Sequence, residues 1–326
     1  MRRRDFLTTT VGALASSSAL ARASPAERVR RIGMLLGTTA IGPEPVGAFV
    51  QRLEELGWVD GRNIRLEYRA VAGDIDRFRG AAGDLVKLAP DVIFVQSNPG
   101  LAALRQVTRT IPIVFVQVAD PVGSGFVASL ARPGGNVTGF TNFEASMGGK
   151  WIEALKEIAP ATARALVLLH PETAANLAMA RSAEAAAPAV ALTTTLAGVH
   201  SADEIENAIT AFAREPHGGL IAIPHTVTVV NDELIARLAT RNRLPAVYAF
   251  RYITKAGGLM SYGVDADDLY RRAAAYADRI LNGAAPGDLP VQAPIKFELV
   301  INRKTVQALG LTLPRSLLAR ADEVIE

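Results

Sequence analysis

Short, unbroken apolar runs alternate along this chain with longer stretches in which apolar positions recur every three or four residues. RIGMLLG (31–37), DVIFVQ (91–96) and IPIVFVQV (111–118) are runs of the first kind. Between them, residues 45–57 place Val46, Phe49, Val50, Leu53 and Leu56 on one helical face, and residues 74–89 do the same with Ile75, Phe78, Ala82, Leu85 and Val86. NIRLEYR (63–69) alternates, with Ile64, Leu66 and Tyr68 on one side, as a half-buried strand does. Pro99 opens the next helix at a position that suits its missing N–H.

The rhythm restarts after residue 145. A helix over 147–159 carries Ile152, Leu155 and Ile158 on one face. Strands follow at 163–170, 189–196, 218–224 and 245–250, separated by helices at 174–187, 201–214 and 227–241. GGLMSYG (257–263) reads as a further strand, and a helix over 265–282 ends at Asn282-Gly283. Apolar strands without alternation, separated by helices, predict parallel sheets covered on both faces. Two such series predict an α/β protein of two doubly wound parallel-sheet lobes. The join from Thr141 to Met147 is short, so the lobes should be linked by direct crossings and form a hinged pair.

Hydrophobic residues make up 49% of the 326 residues, enough for two ordinary cores, which excludes a disordered chain. There is no cysteine, which excludes disulfides, thiolate metal sites and a cysteine nucleophile. Residues 1–23 begin with Arg2, Arg3 and Arg4, continue with a modest apolar stretch and end in Ala21-Arg22-Ala23. That is the layout of a cleaved export signal, too short and too rich in Ser and Thr to span a membrane. Arg3-Arg4-Asp5-Phe6-Leu7 matches the core of a twin-arginine signal, with Thr8 where a lysine is often found. This segment holds Arg2, Arg3, Arg4 and Arg22 against Asp5 and so carries the whole formal charge of +3. The mature chain is then neutral, and the basic surface that would suit nucleic acid disappears.

Candidate chemistry narrows further. Gly123-Ser124-Gly125-Phe126-Val127-Ala128 has the spacing of a dinucleotide fingerprint, with Glu144 further on. Its context is wrong: Ala119-Asp120-Pro121-Val122 separate it from the strand, and a helix expected at 125–131 ends at Pro133-Gly134-Gly135. No nucleophile elbow, P-loop or H-E-x-x-H is present. The four histidines, His170, His200, His217 and His225, are not at metal-ligand spacing, so neither metal nor cofactor is expected.

What remains is the set of polar groups at the carboxyl ends of the strands, where open α/β sheets bind ligands. It comprises Thr38-Thr39, Gln96-Ser97-Asn98, Gln117 to Asp120, Thr141-Asn142, His170, His225-Thr226, Arg251-Tyr252 and Tyr262. The set offers hydroxyls, amides, a carboxylate and rings but no nucleophile–base pair, which suits reversible capture. Ser97 and Asn98 stand before a helix N-terminus that favours a ligand carboxylate. Asp120 either faces a ligand ammonium or caps the turn before Pro121.

The runs Asp60-Gly61-Arg62-Asn63, IPIVFVQVADPVGSGFVASLARPGGNVTGF, GGLMSYG and KFELVINRKTVQALGLTLPRSLLARADEVIE resemble a family of extracytoplasmic ABC-transporter substrate-binding proteins with tryptophan- and other aromatic-amino-acid-binding members. The resemblance covers nearly all of the mature chain. It implies a type I periplasmic-binding-protein fold, a small-molecule ligand in an interlobe cleft and an ABC permease in the inner membrane as partner. No enzymatic activity and no nucleic-acid partner are implied, and a periplasmic monomer is expected. The ligand-binding positions implied are Ser97, Asn98, Asp120, Asn142 and Thr226; Thr38 joins them by its place at a strand end, and Tyr262 with Phe250-Arg251-Tyr252 as ring or cation partners. Lobe 1 should hold 30–142 and about 258–285, lobe 2 should hold 143–250, and 286–326 is unassigned. An enzyme on two Rossmann-like lobes and a periplasmic sensor for a membrane receptor are the alternatives.

Overall fold

The computed structural model describes residues 28–37, 43–71 and 75–326. The expected export signal and Thr38 lie outside the described residues.

The first lobe contains β1 (Arg30–Leu36), α1 (Pro43–Glu55), β2 (Ile64–Ala70), α2 (Ile75–Lys87), β3 (Val92–Gln96), α3 (Asn98–Val107), β4 (Ile113–Val118) and β5 (Val137–Thr141). Its five strands are all parallel, in the order β2-β1-β3-β4-β5. The unbroken apolar run of β3 has a simple cause, since both of its faces are covered. Val92 and Phe94 pack with Phe49 and Leu53 of α1, while Ile93 and Val95 pack with Phe78 and Leu85 of α2. Burying each such side chain is worth roughly 1.5–3 kcal/mol. β2 lies at the sheet edge and alternates only at its start: Ile64 and Leu66 are buried, but Tyr68, expected inside, is exposed.

The chain crosses to the second lobe through residues 142–146 and continues as α4 (Met147–Ile158), β6 (Arg164–Leu169), α5 (Ala174–Ala186), β7 (Thr193–Gly198), α6 (Ala202–Phe212), β8 (Gly218–Ala222), α7 (Thr226–Val230), α8 (Asp232–Arg241), β9 (Ala246–Tyr248), α9 (Arg251–Lys255) and β10 (Met260–Val264). Then follow α10 (Ala266–Leu281), β11 (Phe297–Asn302), α11 (Arg303–Ala308), α12 (Arg315–Arg320) and β12 (Glu323–Ile325). The second sheet runs β12-β11-β10-β9-β8-β6-β7, with β10 and β11 antiparallel and the other pairs parallel. α4 and α5 touch closely because α4 opens with glycine: a Cβ on Gly148 would stand 1.9 Å from the Met179 carbonyl oxygen.

Two expectations need correction, and the unassigned segment 286–326 finds its place. Segment 258–285 does not belong to one lobe. β10 joins the second sheet, whereas α10 returns to the first lobe and sets Tyr270 against Phe94, ring centroids 5.3 Å apart. Segment 286–326 is likewise divided. Gln292 exchanges backbone hydrogen bonds with Gly139 and Thr141 along β5, at 3.0 Å each, and β11 and β12 then complete the second sheet. The chain therefore passes between the lobes three times, after β5, after β10 and before β11. Finally, no helix forms at 125–131; the segment after β4 is a series of turns held by Ser124 N–H to Asp120 O and Phe126 N–H to Pro121 O.

Candidate functional site

Where the order of strands in a parallel sheet reverses, the loops leaving two neighbouring strands diverge and open a crevice. In the first sheet this happens between β1 and β3, in the second between β6 and β8. Loops from both places, with the crossing at Asn142 and Phe143, line one pocket that is partly open to solvent.

The first-lobe wall is built by amide side chains that tie strand ends together. Gln96 accepts from the Gly37 N–H at 3.1 Å and donates to Gln117 Oε1 at 2.6 Å, joining β1, β3 and β4. Asn98 donates to Ala119 O at 2.8 Å and accepts from Ala119 N–H at 3.0 Å. Between them Ser97 sits at φ 80°, ψ 154°, a conformation almost reserved for glycine. Gln117 and Asp120 also have positive φ, 54° and 44°. Each such residue costs on the order of 1–3 kcal/mol and persists only where its surroundings hold it. Ser97 precedes α3, where a serine hydroxyl ordinarily caps the helix. Here it makes no capping bond, and its buried Oγ has no hydrogen-bond partner. Gly37 leaves it room, since a Cβ there would lie 2.9 Å from that oxygen.

The second lobe repeats the scheme. Asn176 accepts from His170 N–H at 3.0 Å and donates to Pro224 O at 3.2 Å, so it ties the end of β6 to that of β8. His225 caps α7: its Nδ1 accepts from Val227 N–H at 3.3 Å, and its own N–H donates to Thr228 Oγ1 at 2.9 Å. Burial, reinforced by the adjacent His170, pushes the His225 pKa down to about 3, so the ring is neutral. Next to it, Thr226 is buried and its Oγ1 has no partner.

Apolar surface completes the pocket. Phe143 and Phe250 line it with ring centroids 5.6 Å apart, and Met179 and Val229 join them. No Asp, Glu, Lys or Arg is among the described lining residues. The interior is thus neutral, with amides and two unsatisfied hydroxyls at one side and rings at another. No metal-ligand cluster lines it; among the described residues one such group occurs, His170, Glu172 and His200, and it lies outside the pocket.

Of the residues singled out in the sequence, Ser97, Asn98, Asn142 and Thr226 meet in this pocket. Asn98 and Asn142 serve the backbone as well, the latter accepting from Phe143 N–H at 2.8 Å. Asp120 lines a neighbouring pocket, and its Oδ1 accepts from Gly123 N–H at 2.9 Å, which is the turn-capping arrangement. Tyr262 lines none of this pocket: its ring stacks on Phe297 at 6.3 Å and its carbonyl accepts from Trp151 Nε1 at 2.7 Å. Phe250 is in the wall, but Arg251 pairs with Glu298 and Glu323 on the far side, and Tyr252 stacks behind Phe250. Phe143, Asn176 and Met179 escaped the sequence reading. Asn176 had a usable signal, a single amide early in an alanine-rich helix.

Comparison with known proteins agrees with this architecture. The sequence profile of the family described as ABC transporter substrate binding protein matches residues 44–325. A tyrosine-binding protein of Clostridioides difficile (strain R20291) is 26% identical over 264 residues, 81% of this chain and 75% of that protein. An ABC domain from Streptococcus pneumonia, solved in complex with L-Trp, is 24% identical with a TM-score of 0.84, over 91% of this chain and 99% of its own. A ligand-free, open substrate-binding protein with adhesive properties from Clostridium difficile is also 24% identical, over 91% and 99%, with a TM-score of 0.66.

Proposed function

The chain belongs to the family of ABC transporter substrate-binding proteins, and from that membership we propose that it captures a zwitterionic amino acid with an aromatic side chain between its lobes. One observation carries the reading. Ser97 Oγ and Thr226 Oγ1 are both buried and unpartnered, one in each lobe, and both residues line the same pocket. A buried hydroxyl without a partner is costly, and a ligand that bonds to both relieves both costs only when the lobes are together. The amino-acid carboxylate would lie at the N-terminus of α3, where backbone N–H groups and the helix dipole favour an anion. Asn142 and the neighbouring amide oxygens would receive the ammonium. The side chain would lie against Phe143 and Phe250, whose rings already contact each other at 5.6 Å. A net-neutral lining suits a net-neutral ligand, and the names of the two relatives, one binding tyrosine and one holding L-Trp, point the same way.

The protein would be exported by its first 23 residues, through the twin-arginine route, and would act as a monomer. It would deliver its ligand to an ABC permease in the inner membrane and catalyse nothing. His225, the one titratable residue among the described lining residues, is neutral and caps α7 with its Nδ1. A thermal-shift screen of the purified protein against the common amino acids, sugars and NAD tests the reading. L-tryptophan, L-tyrosine or L-phenylalanine should raise the Tm, by the equivalent of roughly 2.7 kcal/mol at a hundredfold excess over Kd. A shift with sugars or NAD, and none with aromatic amino acids, would refute it.

A further inference from the structure

We propose that His170, Glu172 and His200 form a site for a divalent transition-metal ion, zinc above all, on the flank of the interlobe groove. Their ligand atoms all lie within 4.8 Å of one another. His170 Nδ1 is 3.2 Å from Glu172 Oε2, and His200 Nε2 is 2.9 Å and 3.0 Å from the two Glu172 oxygens. In a tetrahedral site with metal–ligand bonds of ~2.0–2.1 Å, neighbouring ligand atoms are about 3.3 Å apart. Two of the three separations therefore already stand close to the edges of a zinc polyhedron, and the third lies within 4.8 Å. Two imidazoles and one carboxylate, with no thiolate, form a donor set that zinc accepts when it keeps an open position.

The scaffold holds the ligands in place. His170 follows β6 and His200 follows β7, and these strands are parallel neighbours with Leu169 opposite Gly198. The His170 backbone N–H is held by Asn176, and its ring lies on that of His225, centroids 4.0 Å apart and planes inclined by 22°. A loose contact of 3.3 Å to Thr173 Oγ1 is the one its Nδ1 would give up. His200 is oriented from behind. Its Nδ1 faces Glu204 Oε2 at 3.1 Å, and the same oxygen accepts from the His200 backbone N–H at 2.8 Å. This fixes the proton on Nδ1 and turns Nε2 towards Glu172, the carboxylate–histidine–metal arrangement in which an outer carboxylate sets the tautomer. His170 and Glu172 also line a groove whose opposite wall is Arg79, Gln106 and Ser124 of the first lobe. None of the three ligands lines the pocket assigned to the amino acid, so this site stands or falls apart from that reading.

The test uses tag-free protein stripped with a chelator, then titrated with Zn²⁺ by calorimetry and with Co²⁺ by visible absorption. The expected result is one equivalent of Zn²⁺ and the strong visible bands of low-coordinate Co²⁺. Glu172→Gln and His200→Ala should each abolish this uptake while leaving the far-UV spectrum unchanged. Glu204→Gln should weaken it about 10–100-fold but reach the same Co²⁺ spectrum at saturation, as expected of a positioning residue. Absence of saturable uptake would overturn the proposal, as would uptake that survives both Glu172→Gln and His200→Ala. The same contacts would then serve only a protonated His200 between Glu172 and Glu204.

Discussion

Asn98 grips Ala119 by both backbone groups, donating to its carbonyl at 2.8 Å and accepting from its N–H at 3.0 Å. The clamp joins the first residue of α3 to the residue after β4, and Ser97 is stretched between it and the sheet. Asn98→Ala leaves two backbone groups of Ala119 without partners, at about 1–3 kcal/mol for each one that water does not reach. Urea unfolding should show a loss in that range. Calorimetry should show weaker ligand binding, because Ser97 is no longer held. Unchanged stability would mean that the clamp is redundant.

Ser97 and Thr226 separate binding from stability. Ser97→Gly removes both the backbone strain and the unpartnered hydroxyl, so the free protein should gain about 1 kcal/mol. Thr226→Val deletes a hydroxyl that bonds to nothing and should leave the free protein's stability about level. Each should weaken L-tryptophan binding about tenfold, the worth of one hydrogen bond of about 1.4 kcal/mol. Full affinity in both variants would remove the hydroxyls from the site.

Glu298 predicts an acid-side pattern of stability. Burial pushes its carboxyl up from 4.5 to about 7, against the pull of Arg251 at 3.3 Å and with Asp265 and Asp267 adding to the rise. Because its folded pKa lies above the unfolded one, the folded protein keeps a proton that the unfolded chain has lost. Its contribution is present below about 4.5 and is lost as pH rises to about 7. Glu298→Gln should flatten the decline in Tm across that window. An identical slope in the variant would assign the dependence to other groups.

Gly148 tests the packing of the second lobe. An alanine there puts a Cβ 1.9 Å from the Met179 carbonyl oxygen, so α4 and α5 must separate. Overpacking of this kind typically costs about 1–3 kcal/mol. Denaturant titration of Gly148→Ala should show that loss, and an unshifted midpoint would mean that the helices slide freely.

The strands were legible where burial on both faces leaves no choice of residue, as in VIFVQ of β3. The two later crossings were not. Val264 and Asp265 carry no compositional mark, yet between β10 and α10 the chain leaves one lobe for the other. Ser97 and Thr226 were singled out because they follow apolar strands, and both line the same pocket. Phe143 was missed because an apolar residue after a strand reads as core, and Tyr262 was taken in because a tyrosine near a strand end reads as a contact. The approach of His170 to His200 depends on β6 and β7 lying side by side, which no spacing of thirty residues discloses.

The return of α10 to the first lobe bears on the order of synthesis. Residues 30–141 leave the ribosome with all five strands of their sheet, but Phe94 lacks its Tyr270 neighbour until residues 266–281 have been made. The N-terminal lobe is thus finished after most of the C-terminal one, and a chain that stops before residue 266 leaves an apolar face without its cover.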